Sequence, residues 1–388
     1  MDDTSTYLHY DYDAIANFTS NITLPLRFGD LFIYRIFEFE YSIVGILLPI
    51  VIILMSFMNL CVIVIFLYKG KRSPTNILFI SIALSDSMSA FIGLPVLVEV
   101  YSLNNRLISR SWCIAFFILR LYLFHVFHTV SVWQTLLLGI QRYLSVRYPF
   151  SYSRWCTNKR TVISVLILYV LSFTLHAFHT VYPKLDAQTG RACAWVIEKP
   201  CLESCAYLWL TLLIVHLVPC LLLTVVSGLT LVEIRTSSFR LDNNCRPSRS
   251  VRYRAQRDRK VNTMVLLITA VFLIVELPYG VYYVMFTINQ HVHGIVAEHI
   301  YNRLVAALYS VMLVLSFNCN FWIYFTMMKD FRRITLQWVT CHHARAVCRR
   351  GFQRLRILSS RSSRDFQVRD IPSSPIVLEL LHNDVSER

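Results

Sequence analysis

One stretch of the chain, residues 113–149, carries polar side chains at the spacing of a single helix face. The stretch is otherwise apolar almost throughout, which is typical of a membrane span whose polar face is turned toward other protein. Charged and hydrogen-bonding groups in such a place bind ions or polar ligands, or hold neighbouring helices together. No metal-ligand spacing, nucleophile turn or phosphate loop stands out, so we expect neither enzyme activity nor a metal site. The residues of this face, at steps of three or four or their multiples, are Arg120, Phe124, His128, Ser131, Thr135 and Arg142.

The composition of the whole chain predicts a membrane protein. Hydrophobic residues make up 55% of the 388 residues and charged residues only 16%, and the mean hydropathy is +0.50. About 20 apolar residues are needed to cross a hydrocarbon core of about 30 Å. Seven segments satisfy this requirement: residues 41–68, 75–98, 113–140, 161–181, 206–232, 261–288 and 304–328. We therefore predict an all-α membrane protein, a seven-transmembrane helix bundle with residues 113–140 as its central helix.

The charged residues predict the orientation of this bundle. Lys and Arg concentrate in the first, third and fifth connections and after the last span, whereas the N-terminal segment is mostly acidic. Because basic connections stay in the cytoplasm, the N-terminus is expected outside. Residues 1–40 then form an extracellular tail, 41–333 the transmembrane domain with a short amphipathic helix opening at Lys329, and 334–388 a cytoplasmic tail. The net charge of +15 indicates attraction to anionic membrane lipid rather than binding to nucleic acid.

Several residues outside the spans are candidates for covalent modification. Asn17 and Asn21 begin glycosylation sequons in the predicted external tail. Cys113, at the outer end of the third span, is expected to form a disulfide with Cys193 in the second external loop, with Cys201 as the alternative partner. Cys341 is a candidate for palmitoylation on the inner side. Serines among the arginines of the C-terminal tail are candidate phosphorylation sites, with a plain solvated tail as the equal alternative.

Two carboxylates, Asp86 and Glu276, fall inside predicted spans. A charged group there is costly unless it is paired, so each is a candidate functional residue. We expect Glu276 to pair with His128. Nearer the outer end, Glu99 is expected to pair with Arg120.

A series of motifs resembles the rhodopsin-like (class A) G-protein-coupled receptors, with a likeness to invertebrate neuropeptide receptors of the sex-peptide/myoinhibitory-peptide and myosuppressin receptor group. The resemblance covers residues 41–333, and its motifs occur in the order that the family shows. They are Phe127-His128-Thr129-Val130-Ser131-Val132-Trp133, Gln141-Arg142-Tyr143, Arg154-Trp155-Cys156-Thr157, Val218-Pro219-Cys220, Glu276-Leu277-Pro278-Tyr279-Gly280 and Asn320-Phe321-Trp322-Ile323-Tyr324.

The chain departs from the family pattern at several positions. Gln141 stands where the family has an acid, Phe321 where it has a proline, and Glu276 where it has an aromatic residue two positions before the sixth-helix proline. The fourth span has no tryptophan, and Cys113 lies four residues further from Arg142 than is usual. These departures favour the neuropeptide subgroup over amine receptors and opsins, and a seventh span without lysine excludes a retinal Schiff base.

The resemblance implies three functional layers across the bundle. The innermost is a G-protein switch, in which Asp258 would hold Arg142 until activation; its residues are Arg142, Tyr143, Asp258 and Tyr324. The middle layer would hold a sodium ion, with a water-filled polar network as the equal alternative; its residues are Asp86, Asn59, Ser131, Ser316 and Asn320. The outer layer would bind the ligand, although simple packing is the alternative for each tyrosine taken alone. Its residues are Glu99, Arg120, Phe124, His128, His216, Glu276, Tyr279, Tyr283 and Tyr309.

The resemblance therefore implies a plasma-membrane receptor for an extracellular, amidated neuropeptide that signals through a heterotrimeric G protein. A chemosensory receptor for small molecules is an alternative within the same fold. An ion or proton transporter that uses Asp86 and Glu276 is a second alternative, disfavoured because no internal repeats are found.

Overall fold

Seven long helices dominate the chain in a computed structural model, which describes residues 31–33, 38–68, 73–103, 107–181, 203–243, 249–293 and 300–339. For some of these, among them 31–33, 107–110, 237–243 and 249–258, only the backbone is described. The helices long and apolar enough to cross a membrane are α1 (Glu38–Tyr68), α2 (Pro74–Ser102), α3 (Ser111–Arg147), α4 (Asn158–His176), α5 (Cys205–Thr236), α6 (Arg259–Asn289) and α7 (Ile300–Met327). The seven predicted spans are thus confirmed.

Some helix boundaries differ from the predicted ones. The helix containing α6 extends beyond the span, over Arg249–His293. The helix of α5 likewise continues to Asn243. In contrast, α4 ends at His176, and the separate short helix Phe178–Val181 follows it. A further short helix, Pro149–Trp155, joins α3 to α4.

Capping side chains fix where α2 and α4 begin. Ser73 accepts a hydrogen bond from the backbone N–H of Asn76 at 3.2 Å, and Pro74 occupies the first helical turn. Thr157 accepts one from the N–H of Arg160 at 3.3 Å. Such caps satisfy backbone donors that the first turn leaves without helical partners.

The helices pack around α3, as the sequence predicts. This helix contacts α2, α4, α5 and α6, while α7 packs against α1 and α6. Large apolar side chains point away from the bundle, among them Phe57, Leu221 and Ile274, which are 65%, 66% and 68% exposed. An apolar surface of this extent is suited to hydrocarbon rather than water. We call the two ends of the bundle the Glu40 end, where α1 begins, and the Arg142 end, where α3 approaches its last turn.

Four of the helices contain π-helical segments near the Glu40 end. These are Tyr41–Leu47 in α1, Val98–Ser102 in α2, Phe116–Leu123 in α3 and Leu212–Leu217 in α5. A π turn holds more residues than an α turn, and such turns are frequent at functional sites. The segment in α3 lies between Cys113 and Arg142, so it takes up part of the extra residues that separate them.

A small antiparallel sheet at the Glu40 end was not predicted. Strand β1 (Leu31–Ile33) pairs with β2 (Leu107–Ser109), with Phe32 opposite Ile108. The all-α prediction therefore describes the bundle but omits this connection between the segment before α1 and the loop between α2 and α3. Strands of three residues carry too little periodicity to be recognised in a sequence.

The chain divides into two compact units, Met1–Met327 and Met328–Arg388. The second unit contains α8 (Lys329–Val339), which confirms the predicted short C-terminal amphipathic helix. Phe331, Ile334 and Trp338 are spaced to share one face of this helix, and Arg332 and Arg333 fall outside it.

The close approach of α1 to α2 leads to a first prediction, for Gly45→Ala. A Cβ atom at Gly45 would lie 2.8 Å from the carbonyl oxygen of Tyr101, and Ser102 donates a hydrogen bond to the Gly45 carbonyl at 2.5 Å. The backbones must therefore separate, and we expect a loss of about 1–3 kcal/mol of stability, measured by thermal unfolding of the solubilised protein. Gly228→Ala is the matched control, because a Cβ there meets nothing within 4 Å. Equal melting temperatures for the two variants would contradict the close approach.

Candidate functional site

Glu276 is the centre of a buried polar cluster that joins four helices. Its side chain, on α6, is only 1% exposed. One carboxylate oxygen, Oε2, lies 3.0 Å from Nδ1 of His216 on α5. The other, Oε1, accepts a hydrogen bond from the Tyr309 hydroxyl on α7 at 2.9 Å and lies 3.5 Å from Nε2 of His128 on α3. The structure thus pairs Glu276 with His128 as predicted and adds two further donors; these four residues are called the Glu276 cluster below.

The imidazole of His128 is held tightly within this cluster. Its Nε2 also lies 3.4 Å from the Tyr309 hydroxyl, and its ring stacks on Phe124 with centroids 6.0 Å apart. Its Nδ1 is buried and meets no polar partner among the described residues. All polar contacts that the structure gives for this ring therefore point toward Glu276 and Tyr309.

Aromatic rings form a wall beside the Glu276 cluster. Tyr279 and Tyr309 are stacked with ring centroids 3.5 Å apart and planes at 8°. The His216 ring lies 5.4 Å from both Tyr279 and Tyr283. Seven of the predicted ligand-binding residues therefore come together: Phe124, His128, His216, Glu276, Tyr279, Tyr283 and Tyr309.

Arg120 contacts α7 and an aromatic ring of its own helix. Its Nη2 donates to Ser310 on α7 at 3.1 Å, and its guanidinium lies 4.6 Å above the Phe124 ring. The pairing of Arg120 with Glu99 stays a prediction. Glu99 lies in the π-helical end of α2. Sequence reasoning missed Ser310, since a serine in an apolar helix carries no distinctive signal.

Only some of the residues predicted for the middle layer, the candidate ion site, contact one another. Asp86, 1% exposed, accepts hydrogen bonds from the Ser131 hydroxyl and, at 3.2 Å, from the Asn320 amide. Ser316 donates within its own helix, to the carbonyl of Leu313. The Asn59 amide donates to the Met55 sulfur at 3.0 Å, while its Oδ1 is buried and has no polar partner among the described residues. The oxygen atoms of a carboxylate, a hydroxyl and an amide are ligands that suit a hard monovalent cation.

At the Arg142 end, the Arg142 guanidinium is buried and bridges separate elements. It donates to the Thr75 hydroxyl on α2 and, at 3.1 Å, to the Tyr152 hydroxyl in the short helix that follows α3. Neither partner was predicted. Tyr324 instead packs its ring against Phe66 and Phe79, at 5.6 and 5.0 Å, and the neighbouring Tyr143 is half-buried.

Gln141, which stands where the family pattern has an acid, contacts a different helix from those that Arg142 contacts. Its amide donates to the Thr161 hydroxyl on α4 at 3.2 Å. The glutamine thus connects α3 to α4, and the described contacts of Arg142 go to α2 and the connecting helix.

Two further polar clusters were missed because their members lie on different helices. Ser85 on α2 lies 2.8 Å from the Tyr169 hydroxyl on α4, so a tyrosine makes a polar interhelical contact in the span that lacks tryptophan. His176, fully buried on α4, lies 2.8 Å from both the Thr129 and the Tyr207 hydroxyls and so connects α3, α4 and α5. Both clusters lie outside the predicted layers.

Some predicted residues lie outside the described part of the chain. These are the glycosylation candidates Asn17 and Asn21, the palmitoylation candidate Cys341 and the disulfide partner Cys193. The side chain of Asp258 is likewise outside it, so its link to Arg142 stays a prediction. Cys113 is disulfide-bonded, and so is Cys205, for which no bridge was predicted.

Comparison with known proteins agrees with this architecture. Residues 58–324 match the family described as 7 transmembrane receptor (rhodopsin family). The chain is 26% identical to the Sex peptide receptor of Drosophila melanogaster over 76% of this chain and 72% of the relative. It is 23% identical to the Sex peptide receptor-related protein 2 of Caenorhabditis elegans, over 76% and 70%, and 21% identical to Galanin receptor 2b of Danio rerio, over 62% and 61%. Because the family match covers more than half of the chain, the protein belongs to the rhodopsin family of seven-transmembrane receptors and is a multi-pass plasma-membrane receptor, not an enzyme.

Proposed function

We propose that the protein is a receptor for an extracellular, C-terminally amidated neuropeptide and activates a heterotrimeric G protein in the cytoplasm. The observation that carries this proposal is the aromatic wall beside the Glu276 cluster, which joins α3, α5, α6 and α7. Two of the similar proteins are named for a peptide, and each aligns with 76% of the chain.

The chemistry of the site favours an uncharged, aromatic ligand end over a small amine. An amine ligand needs a carboxylate, but α3 contains no Asp or Glu, and the Glu276 carboxylate already contacts three side chains of the protein. An amidated C terminus carries no charge, so it can enter a site whose charges are matched without leaving a buried charge unpaired. Aromatic side chains of a peptide can stack on Tyr279 and Tyr309.

The orientation in this proposal places the Glu40 end outside the cell. The acidic N-terminal segment precedes α1, while basic residues cluster in the connections at the Arg142 end and in the chain beyond α7. A peptide then reaches the aromatic wall from outside, and a G protein meets Arg142 from inside. The cytoplasmic tail, with its serines, is the proposed site for a kinase and arrestin.

A sodium ion in the middle layer is part of the proposal, and Asp86→Asn tests it. The neutral amide keeps the size of Asp86 but removes the charge that a cation needs. We expect sodium chloride, compared with choline chloride, to weaken agonist binding to the wild type about fivefold or more, a typical coupling between two sites. The variant should lose this dependence. A wild-type receptor without any sodium effect would favour the alternative of a water-filled polar network.

The experiment that tests the receptor proposal is a panel of amidated neuropeptides applied to cells that express the chain. Dissociation of each class of G protein is followed with energy-transfer sensors, in parallel with the free-acid form of every peptide. One or more amidated peptides should give a saturable response that the free acids give only weakly. A response only to small volatile or amine compounds would favour a chemosensory receptor, and ligand-free ion flux in liposomes would favour a transporter.

A further inference from the structure

A cavity lies between α6 and α7 at the Arg142 end of the bundle. It has a volume of about 420 Å³ and is lined by Arg259, Lys260 and Thr263 of α6 and by Met327, the last residue of α7. Small-molecule sites in proteins have volumes of roughly 300–1,000 Å³. The cavity is therefore large enough for the polar part of a ligand, and two adjacent cations make its wall positive.

The cavity opens onto a face of α6 that is suited to lipid. Four exposed residues at helical spacing share this face, which we call the Thr263 face: Thr263, Leu267, Ala270 and Ile274. Leu267 and Ile274 are 44% and 68% exposed, as expected of apolar side chains that contact hydrocarbon. A ligand in the cavity can therefore extend an apolar portion along α6.

The groups that the cavity offers to a ligand are cationic. The Thr263 hydroxyl already donates to the Arg259 carbonyl at 3.0 Å, whereas Arg259 and Lys260 are exposed. The sequence continues this positive charge, because residues 249–260 include six Lys or Arg and one acid, Asp258. Clusters of about four to eight basic residues directly cytoplasmic of a span are typical of segments that bind anionic lipid headgroups.

We propose that this cavity binds an anionic phospholipid of the cytoplasmic leaflet whose headgroup carries more than one phosphate, as phosphoinositides do. The phosphates pair with Arg259 and Lys260, which form strong charge-assisted hydrogen bonds with such groups, and the acyl chains lie along the Thr263 face. This inference goes beyond the proposed receptor function and shares with it only the orientation that places the Arg142 end inside the cell.

The alternative is that Arg259 and Lys260 only follow the general preference of basic residues for the cytoplasmic side. Such charges need no cavity beside them, so filling the cavity separates the two interpretations. Thr263→Trp keeps both cations and adds a large side chain at an exposed position of the cavity wall. The lipid site predicts weaker lipid binding by this variant, whereas the alternative predicts no change.

The experiment uses the purified full chain without peptide or G protein. Delipidated receptor in neutral detergent is titrated with phosphatidylinositol bisphosphate or with phosphatidylserine, and intact complexes are counted by native mass spectrometry. The wild type should bind one phosphoinositide more tightly than phosphatidylserine. Each basic residue near the membrane surface contributes roughly fivefold to the affinity for anionic lipid, so Arg259→Gln/Lys260→Gln should bind the phosphoinositide about thirtyfold more weakly.

Arg154→Gln/Lys159→Gln is the matched control. It also removes two exposed cations from the Arg142 end, in the chain around the start of α4, but neither residue lines the cavity. This variant should bind the phosphoinositide as tightly as the wild type.

The other outcomes decide against the site or its occupant. Wild-type binding by Arg259→Gln/Lys260→Gln, or equal losses in both double variants, would overturn the site. Displacement of the lipid by an equal concentration of soluble inositol trisphosphate would overturn a lipid as the occupant. Normal lipid binding with weaker G-protein coupling in Arg259→Gln/Lys260→Gln would assign these cations to a protein contact instead. A failed peptide panel with the lipid selectivity intact would overturn the neuropeptide proposal and leave the lipid site standing.

Discussion

Replacing Arg142 with alanine is expected to abolish G-protein activation and to leave peptide binding nearly unchanged. The guanidinium is buried at the Arg142 end and donates to Thr75 and Tyr152, which belong to two different elements. Without it, α2 and the short helix after α3 lose a charged donor worth about 1.5–3 kcal/mol per hydrogen bond. The aromatic wall and the Glu276 cluster, built from other residues, stay in place, so the peptide should still bind.

Arg147→Ala is the control for this prediction. Arg147 is in the same helix and pairs with Glu233 at 3.4 Å, but the two side chains are 43% and 22% exposed. Exposed ion pairs contribute about 1 kcal/mol or less, so this variant should keep most of its signalling. The measurement is peptide-stimulated G-protein dissociation at matched surface expression, with binding of a labelled peptide alongside. Signalling by Arg142→Ala at the level of Arg147→Ala would contradict the role given to Arg142.

The second large effect is expected at the opposite end of the bundle. Arg303 on α7 forms a two-point ion pair with Glu40 on α1, with N–O distances of 2.9 and 2.7 Å. The side chains are only 14% and 4% exposed. Removing one partner leaves a buried charge without its main counter-charge, which typically costs 3–5 kcal/mol. Arg303→Ala should therefore lower the melting temperature of the solubilised receptor markedly.

The double variant Glu40→Ala/Arg303→Ala separates charge from packing. Because a buried ion pair contributes little net stability when both charges are removed, the double variant should recover much of the loss. A melting temperature for Arg303→Ala equal to that of the wild type would show that the pair does not fasten α1 to α7. A double variant less stable than either single variant would indicate that packing of the two side chains matters more than their charge.

Periodic and compositional signals predicted the bundle well because each span can be recognised from its own residues alone. About 20 apolar residues are needed in every span whatever its neighbours are, and the predicted segments correspond to α1–α7. The pairing of Glu276 with His128 was also accessible, since a carboxylate at that depth needs a partner and α3 offered one at a suitable height.

Contacts between distant segments could not be predicted from the sequence in the same way. Glu40 was assigned to the extracellular tail, and its partner Arg303 follows 263 residues later. Ser310, Thr75 and Tyr152 are ordinary residues whose role appears only when another helix places an arginine beside them. Sequence reasoning therefore identified the charges that need partners more readily than the neutral groups that provide them.

The most direct test of the receptor claim is guanine-nucleotide exchange with purified components. The receptor is reconstituted in lipid nanodiscs with the heterotrimeric G protein selected by the cell panel, and binding of a non-hydrolysable GTP analogue is followed with and without the amidated peptide. We predict a peptide-dependent increase in the exchange rate that is lost in Arg142→Ala and retained in Arg147→Ala. A peptide that binds the receptor but leaves exchange unchanged, or an equal increase in all three proteins, would contradict it.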